Sequence, residues 1–240
     1  MKITLISDTH TKHHFCEKDL PGGDLLIHAG DFMNSGYHER EAFEFFDWFN
    51  NLSNYNTKVF IAGNHDRWMQ DKPKEAQNIL SGYKNIDYLQ DEQLTLYFDG
   101  PNGDHPEDNV RIYGSPWQPE FYNWAFNLPR NGDKLKAKWD AIPIDTDILI
   151  THGPAQGHLD TSGPPHNTPN LGCELLRNHI DTVARPKIHV CGHIHGGHGY
   201  KFDGQTHYFN ASILNEQYYY FNDPIIIEWD QITNAIELIV

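Results

Sequence analysis

The sequence predicts an α/β chain built as two β-sheets packed face to face with helices on the outer sides, and three observations predict it. Short apolar, β-rich runs recur along the 240 residues. Stretches with helical spacing of apolar side chains separate several of them, and polar motifs follow five of the runs at their carboxyl ends. Those five runs are Lys2 to Ser7, Asp24 to Ala29, Lys58 to Ala62, Asp147 to Thr151 and Lys187 to Cys191. Each is bounded by turn residues or polar segments, the signature of a buried strand.

Between the second and third runs, Tyr37 to Leu52 sets Phe43, Phe46, Trp48 and Phe49 among Glu39, Arg40, Glu41, Glu44 and Asp47. That spacing gives a helix with an aromatic stripe on one face and acids in solvent on the other. Further helices are expected over Lys74 to Ser81, Asp133 to Asp140 and Gly172 to Val183, the last with Leu175, Leu176 and Ile180 turned inward. Strand, crossover and strand imply parallel pairing in the first half. A second sheet is expected from Leu94 to Phe98, Val110 to Gly114, Thr206 to Ala211, Pro224 to Asp230 and Ala235 to Val240, the closing pair forming a hairpin at Thr233-Asn234. Pro101 to Asn109 reads as a solvated turn. No linker or repeat divides the chain, so residues 1–240 are expected to form a single domain.

Composition narrows the function. Lys and Arg number 18 against 33 Asp and Glu, a formal charge of −15, which is the wrong sign for binding long nucleic acids through their phosphates. The three cysteines, Cys16, Cys173 and Cys191, have no Cys-x-x-Cys spacing and suit a reducing compartment. No signal-peptide core forms before Asp8 and His10, and no apolar run approaches the roughly 18 residues of a spanning helix. A cytoplasmic protein without a membrane partner is expected. Sixteen histidines in an acidic chain suit transition metals.

The polar motifs are Asp8-Thr9-His10, Gly30-Asp31, Gly63-Asn64-His65-Asp66, Thr151-His152-Gly153 and Gly192-His193-Ile194-His195. Ligands bind outside the carboxyl ends of strands in open α/β sheets, so the five motifs should converge. Residues i and i+2 of an extended segment face the same side, which pairs Asp8 with His10 and His193 with His195. Asp31 offers two oxygens able to bridge two ions, Asn64 a neutral oxygen and His152 a further nitrogen. Seven donors exceed the needs of a structural zinc site and suit two cations about 3.5–4 Å apart, each with room for water. A dinuclear hydrolytic centre is expected, with Mn²⁺ or an Fe/Mn or Fe/Zn pair suited to the N/O donor set.

These motifs resemble the calcineurin-like metallophosphoesterases, whose signature is Asp-x-His, Gly-Asp, Gly-Asn-His-Asp/Glu, a His-bearing turn and Gly-His-x-His. Gly114-Ser115-Pro116-Trp117-Gln118-Pro119, Phe126-Asn127-Leu128-Pro129-Arg130, Thr151-His152-Gly153-Pro154 and Asn210-Ala211-Ser212 are similar to the metallophosphoesterase-domain-containing branch, a class III phosphodiesterase-like group. The likeness runs from about residue 2 to 229. It implies a four-layer α-β-β-α sandwich of two mixed sheets. It also implies that Asp8, His10, Asp31 and His195 hold one metal and that Asp31, Asn64, His152 and His193 hold the other.

From the same resemblance, His65 is the non-ligating histidine that contacts the phosphate or protonates the leaving oxygen, and Asp66 orients the loop or that imidazole, so that His65, Asp31 and Asp66 form the catalytic set. The implied activity is hydrolysis of small phosphodiesters, cyclic nucleotides of the 2′,3′ or 3′,5′ type included, by in-line attack of a metal-bridging hydroxide. Phosphomonoesters, short single strands and a weakly active, nucleotide- or metal-binding regulatory role are the alternatives. Gly30-Asp31-Phe32-Met33-Asn34-Ser35-Gly36 lacks the Asp-Arg pair of the protein phosphatases, which disfavours phosphoproteins. The aromatic stretch from Ser115 to Arg130 either caps the second sheet or supplies a stacking wall for a nucleobase through Trp117 and Phe126. Arg130 is either a structural hydrogen-bond hub or a phosphate contact. His189 is expected beneath the site as a hydrogen-bonded support. A homodimer is compatible with this reading.

Overall fold

The computed structural model describes residues 1–97, 109–164 and 166–239. The expected strand ends at Phe98 and Val240, and the expected turn over Pro101 to Asn109 apart from Asn109 itself, lie outside the described residues. Two six-stranded sheets pack against each other. The first holds β1 (Lys2–Ile6), β2 (Gly23–His28), β3 (Tyr55–Phe60), β4 (Asp87–Tyr88), β13 (Ile225–Trp229) and β14 (Ile236–Ile239), in the order β14-β13-β1-β2-β3-β4. The second holds β5 (Glu92–Leu96), β6 (Val110–Ser115), β9 (Ile148–Thr151), β10 (Ile188–Cys191), β11 (Gly199–Phe202) and β12 (His207–Asn210), in the order β11-β12-β10-β9-β6-β5. A short pair, β7 (Gln118–Pro119) and β8 (Asn127–Leu128), stands apart. Both large sheets are mixed: β1 to β4 run parallel, as do β6, β9, β10 and β12, and the flanking strands β13, β5 and β11 pair antiparallel.

Strand alternation builds the layers. On β1 to β3, Ile3, Leu5, Leu25, Ile27 and Val59 face the second sheet, where Ile112, Ile148, Ile150, Ile188 and Val190 meet them. The opposite face presents Ile6, Leu26 and Phe60 to α1 (Glu39–Asn51), α2 (Arg67–Asp71) and α3 (Pro73–Leu80). On the far side, Tyr113, Leu149 and Tyr208 pack with α4 (Asp133–Asp140) and α5 (Glu174–His179). The four-layer α-β-β-α sandwich is therefore present. Helix α1 is shorter than Tyr37 to Leu52, and its buried stripe is Ala42, Phe45, Phe46, Trp48 and Phe49, with Phe43 only partly covered. Helix α5 gives way to a π-helical turn over Ile180–Ala184, and Leu175 is only partly buried while Leu176 and Ile180 are core.

The distribution of strands differs from the expected one and matters for the site. The closing hairpin β13–β14 joins the first sheet beside β1, because Ile225, Ile227 and Trp229 alternate toward the space between the sheets and extend the layer begun by Ile3 and Leu5. Strands β9 and β10 belong to the second sheet. The five motif strands are thus split three and two, and their carboxyl ends meet across the seam between sheets. No helix among the described residues is long and apolar enough to cross a membrane.

Candidate metal centre

The seam is closed by backbone pairing beyond the strands. Across it, Ser7 and Ser212 form a parallel bridge and Ile213 N–H donates to Ser7 O at 3.1 Å; within each sheet the pairing continues past the strand ends, Asp8 N–H donating to Gly30 O at 2.9 Å and Gly192 N–H to His152 O at 2.8 Å. Gly63 and Gly192 are demanded by this closeness. A Cβ on Gly63 would collide with the Asp31 carboxylate and the His152 ring, and one on Gly192 with the Ser7 side chain and the Asp8 carboxylate. Several donors themselves sit in left-handed backbone: Asp8 at φ 55°, His10 at 40°, Asp31 at 59° and His193 at 68°. Such conformations cost about 1–3 kcal/mol each and persist at sites whose surroundings over-determine them.

The seven predicted donors are brought together. Asp8, His10 and His195 place ligand atoms within 4.8 Å of one another, as do Asp31, His152 and His193, and also His10, Asp31 and His65. Asp31 lies between the groups: its Oδ2 is 3.2 Å from His152 Nε2 and 3.8 Å from His10 Nε2. Asn64 Oδ1 is 3.0 Å from His152 Nε2, and Asp8 Oδ1 is 3.4 Å from His195 Nε2.

The hydrogen bonds around these donors orient them for a cation. His10, His152 and His195 each donate Nδ1–H to a backbone carbonyl, of Met33 (3.1 Å), Ala29 (2.9 Å) and Asn215 (2.9 Å). A carbonyl can only accept, so Nε2 is left as the coordinating nitrogen. His10 Nε2 is buried without a hydrogen-bond partner, an orphaned lone pair that a metal would satisfy. Burial disfavours the charged form of His10 and holds its pKa near 3, and burial with the His152 charge does the same for His193. His152 and His195 are also desolvated, yet Asp31 and Asp8 beside them lift their pKa to about 9. Asp8 and Asp31 stay well below the ordinary carboxylate range although burial opposes it, because these imidazoles face them. Buried carboxylates that hold positive charge on their neighbours are a ready cation site, and the donor set fits two ions.

His65 lies beside the centre with its N–H on Asp31 Oδ1 (2.7 Å) and its ring stacked on Trp124, centroids 4.0 Å apart. Its Nδ1–H donates to Asn34 O at 2.5 Å. Of the two roles expected of Asp66, the structure shows the orienting of the loop and not of the His65 imidazole, whose Nδ1–H is on Asn34 O. Asp66 is fully buried, and its carboxylate accepts backbone N–H from Gly63 (2.7 Å), Asp31 (2.9 Å) and Met33 (2.8 Å). It positions the Asp31 and Asn64 loops rather than touching reacting atoms.

Of the two readings of Trp117 and Phe126, the stacking wall is the one the structure corrects. Phe126 is fully buried in the core, and Trp117 packs edge-on against it with its indole N–H on Asp91 Oδ2 (2.9 Å) and the Lys138 ammonium over its ring. Phe121 and Tyr122, from the same stretch, are the aromatics that line a cavity of about 520 Å³ beside His193 and His195. Arg130 borders that cavity, but its guanidinium is engaged by Gly172 O, Leu171 O and Glu174, the arrangement of a structural hub.

Several supports were not legible beforehand. Ser212 Oγ donates to Asp8 Oδ2 at 2.7 Å, and Asn210 ties Leu159 O to Ile194 O through its amide nitrogen. His28 accepts Gly30 N–H on Nδ1 (3.2 Å), which fixes its proton on Nε2 toward Thr9 Oγ1 (3.0 Å). One buried ring thus braces the loops of Asp8, His10 and Asp31. In the other sheet, His189 is the hydrogen-bonded support expected from the sequence: it donates Nε2–H to Thr151 Oγ1 at 2.8 Å, and Thr151 in turn donates to Gly153 O at 2.7 Å, bracing the loop of His152.

The fold and this donor set define a metal-dependent phosphoester hydrolase, and comparison with known proteins agrees. Residues 1–197 match the family model described as calcineurin-like phosphoesterase. Human metallophosphoesterase domain-containing protein 1 is 40% identical over 95% of this chain and 70% of its own length. The Caenorhabditis elegans UPF0046 protein T07D4.2 is 35% identical over 95% of this chain and 60% of its own length. Among solved structures, the phosphopantetheinyl hydrolase of Mycobacterium tuberculosis shares the fold, with a TM-score of 0.57 at 14% identity and 90% coverage of both chains. The chain belongs to the calcineurin-like phosphoesterase family, whose members depend on two metal ions.

Proposed function

We propose that this protein is a cytoplasmic phosphodiesterase for small phosphodiesters, cyclic nucleotides among them, in which Asp8, His10, Asp31 and His195 hold one ion and Asp31, Asn64, His152 and His193 the other. The observation that supports it most is Asp31, whose Oδ2 lies between His10 and His152, one from each donor group. Two such ions, when bound, lower the pKa of water, polarise phosphoryl oxygens and align an in-line attack. The chain supplies the rest. The carbonyls of Met33, Ala29 and Asn215 fix the imidazole tautomers, and Asp66 and Ser212 fix the carboxylates of Asp31 and Asp8 by backbone and hydroxyl hydrogen bonds.

With Nδ1–H committed to Asn34 O, the His65 nitrogen that gains and gives up a proton is Nε2. His65 is then the general acid toward the leaving oxygen, a role worth about 10²–10⁴-fold. Trp124 stacks on the ring and holds its plane. A cavity of about 520 Å³ and a charge of −15 favour a small ester over a polymer. Mn²⁺, or iron paired with manganese or zinc, suits the mixed N/O donors. Hydrolysis of bis(p-nitrophenyl) phosphate and p-nitrophenyl phosphate, each with and without Mn²⁺, tests the reading, followed by 2′,3′- and 3′,5′-cyclic nucleotides. Mn²⁺-dependent turnover that favours the diester is expected. Preference for the monoester would overturn the diesterase assignment, and no turnover with Mn²⁺, Fe²⁺ or Zn²⁺ would overturn the enzyme itself.

A further inference from the structure

Tyr218 holds a backbone conformation rare for a bulky residue, φ 61°. The turn that imposes it is tightly closed. Tyr218 N–H donates to Asn215 O at 2.8 Å, Gln217 and Tyr219 N–H both donate to Asn215 Oδ1 at 3.0 Å, and Lys12 Nζ donates to Tyr218 O at 2.5 Å. Asn215 O also receives Nδ1–H of His195, so one residue fixes both the donor and the tyrosine. The phenol ring lies 4.8 Å from the His10 ring, 5.2 Å from His195 and 6.3 Å from His65, centroid to centroid, yet Tyr218 remains 37% exposed. A strained residue left partly open above three imidazoles points to contact with a ligand rather than to packing.

Tyr218 lines the same cavity as Phe121 and Tyr122, and the Phe121 ring sits 5.7 Å from His193. Aromatic surface therefore adjoins both donor groups. The acids bordering the cavity are Glu120 and Glu216, and the one guanidinium there, Arg130, is already bound to Gly172 O, Leu171 O and Glu174 among the described residues. Such a lining accepts a neutral ring by stacking.

Resting on the phosphodiesterase reading, we propose that Tyr218 is a specificity-determining residue. Its ring is the wall on which an uncharged, ring-bearing substituent of the diester packs. The test uses the Mn²⁺-loaded protein with bis(p-nitrophenyl) phosphate and methyl p-nitrophenyl phosphate, which share a leaving group and differ only in the retained substituent. Tyr218→Ala should raise KM for the bis-aryl ester about tenfold, equivalent to about 1.4 kcal/mol. Its kcat, its KM for the methyl ester and its bound manganese should stay close to wild type, and Tyr218→Phe should restore the aryl KM. Equal loss on both esters, or loss of manganese, would overturn the proposal, since Tyr218 would then serve only to seat His10 and His195. Calorimetry with diphenylphosphinate, whose two P–C bonds leave no ester to hydrolyse, reads the wall without turnover: about tenfold weaker binding by Tyr218→Ala is expected, and equal affinity would overturn it. Wild-type binding of that ligand without turnover of either ester would sink the catalytic reading and leave the wall standing.

Discussion

Asp66 offers the sharpest test of how the centre is supported. Its carboxylate is fully buried and accepts three backbone N–H groups, from Gly63 and Asp31 on Oδ2 and from Met33 on Oδ1. A stranded buried donor costs about 1–3 kcal/mol, so Asp66→Ala, which strands three, is worth about 3–9 kcal/mol. The lower part of that range is expected, because burial and then repulsion from Asp31 push the Asp66 pKa well above its ordinary value, and truncation relieves both. Asp66→Asn keeps an acceptor oxygen for Gly63 and Asp31 but turns an NH₂ toward Met33 N–H, a loss of about 1–3 kcal/mol. Equilibrium urea unfolding of the metal-free protein at pH 7.5 measures both. Manganese affinity should fall in the same order, since the Asp31 backbone hangs on Asp66. If Asp66→Ala costs less than about 1 kcal/mol and matches Asp66→Asn, the three amides are satisfied in some other way and the supporting role assigned to Asp66 is wrong.

His65→Ala should keep both ions and lose about 10²–10⁴-fold in turnover, most severely with poor leaving groups; loss of metal in proportion to activity would contradict the general-acid role. Gly192→Ala drives a methyl group into the Ser7 side chain and the Asp8 carboxylate, so metal at the Asp8–His10–His195 group should be lost, as read by manganese titration. His28→Phe removes the brace between Thr9 and Gly30, with an expected cost of about 1–3 kcal/mol in urea unfolding and weaker manganese binding; wild-type values for both would refute the brace. The pH dependence follows from buried neutral histidines away from the donors. Burial, helped by His14, holds His13 near 3, and burial, helped by Arg177, holds His158 near 4. The unfolded chain takes up protons below pH 6.5 that these folded-state groups refuse. The contribution of these two histidines to metal-free stability is therefore whole above 6.5 and declines as pH falls through the window toward 3–4, by up to about 1.4 kcal/mol per pH unit for each histidine. His13→Phe should flatten that decline between pH 6.5 and 4.5, and an unchanged slope would contradict the assignment.

The donors were legible because a dinuclear site restricts residue type: Asp8, His10, Asp31, Asn64, His152, His193 and His195 each stand in a short motif that follows an apolar run. Sheet membership was less legible. The alternation of Ile225, Ile227 and Trp229 reads the same whether the hairpin extends one sheet or the other, and it is the open side of β1 that decides. Aromatic composition likewise does not separate a core ring from a cavity ring, so Phe126, fully buried, and Tyr122, 81% exposed, look equivalent in the Ser115 to Arg130 stretch. His28, Ser212 and Tyr218 were missed because their partners lie on other strands or loops, and a bracing hydrogen bond leaves no spacing signal along the chain.

The central claim, that seven side chains gathered at the seam between two sheets hold a pair of ions through a shared Asp31, is tested most directly by metal stoichiometry. The protein is stripped, reloaded with Mn²⁺, desalted and measured by elemental analysis, as wild type and as Asp31→Ala. About two ions per chain are expected for the wild type, with both lost or weakened together when Asp31 is removed. A single ion in the wild type, or an Asp31→Ala protein that retains both, would contradict the account.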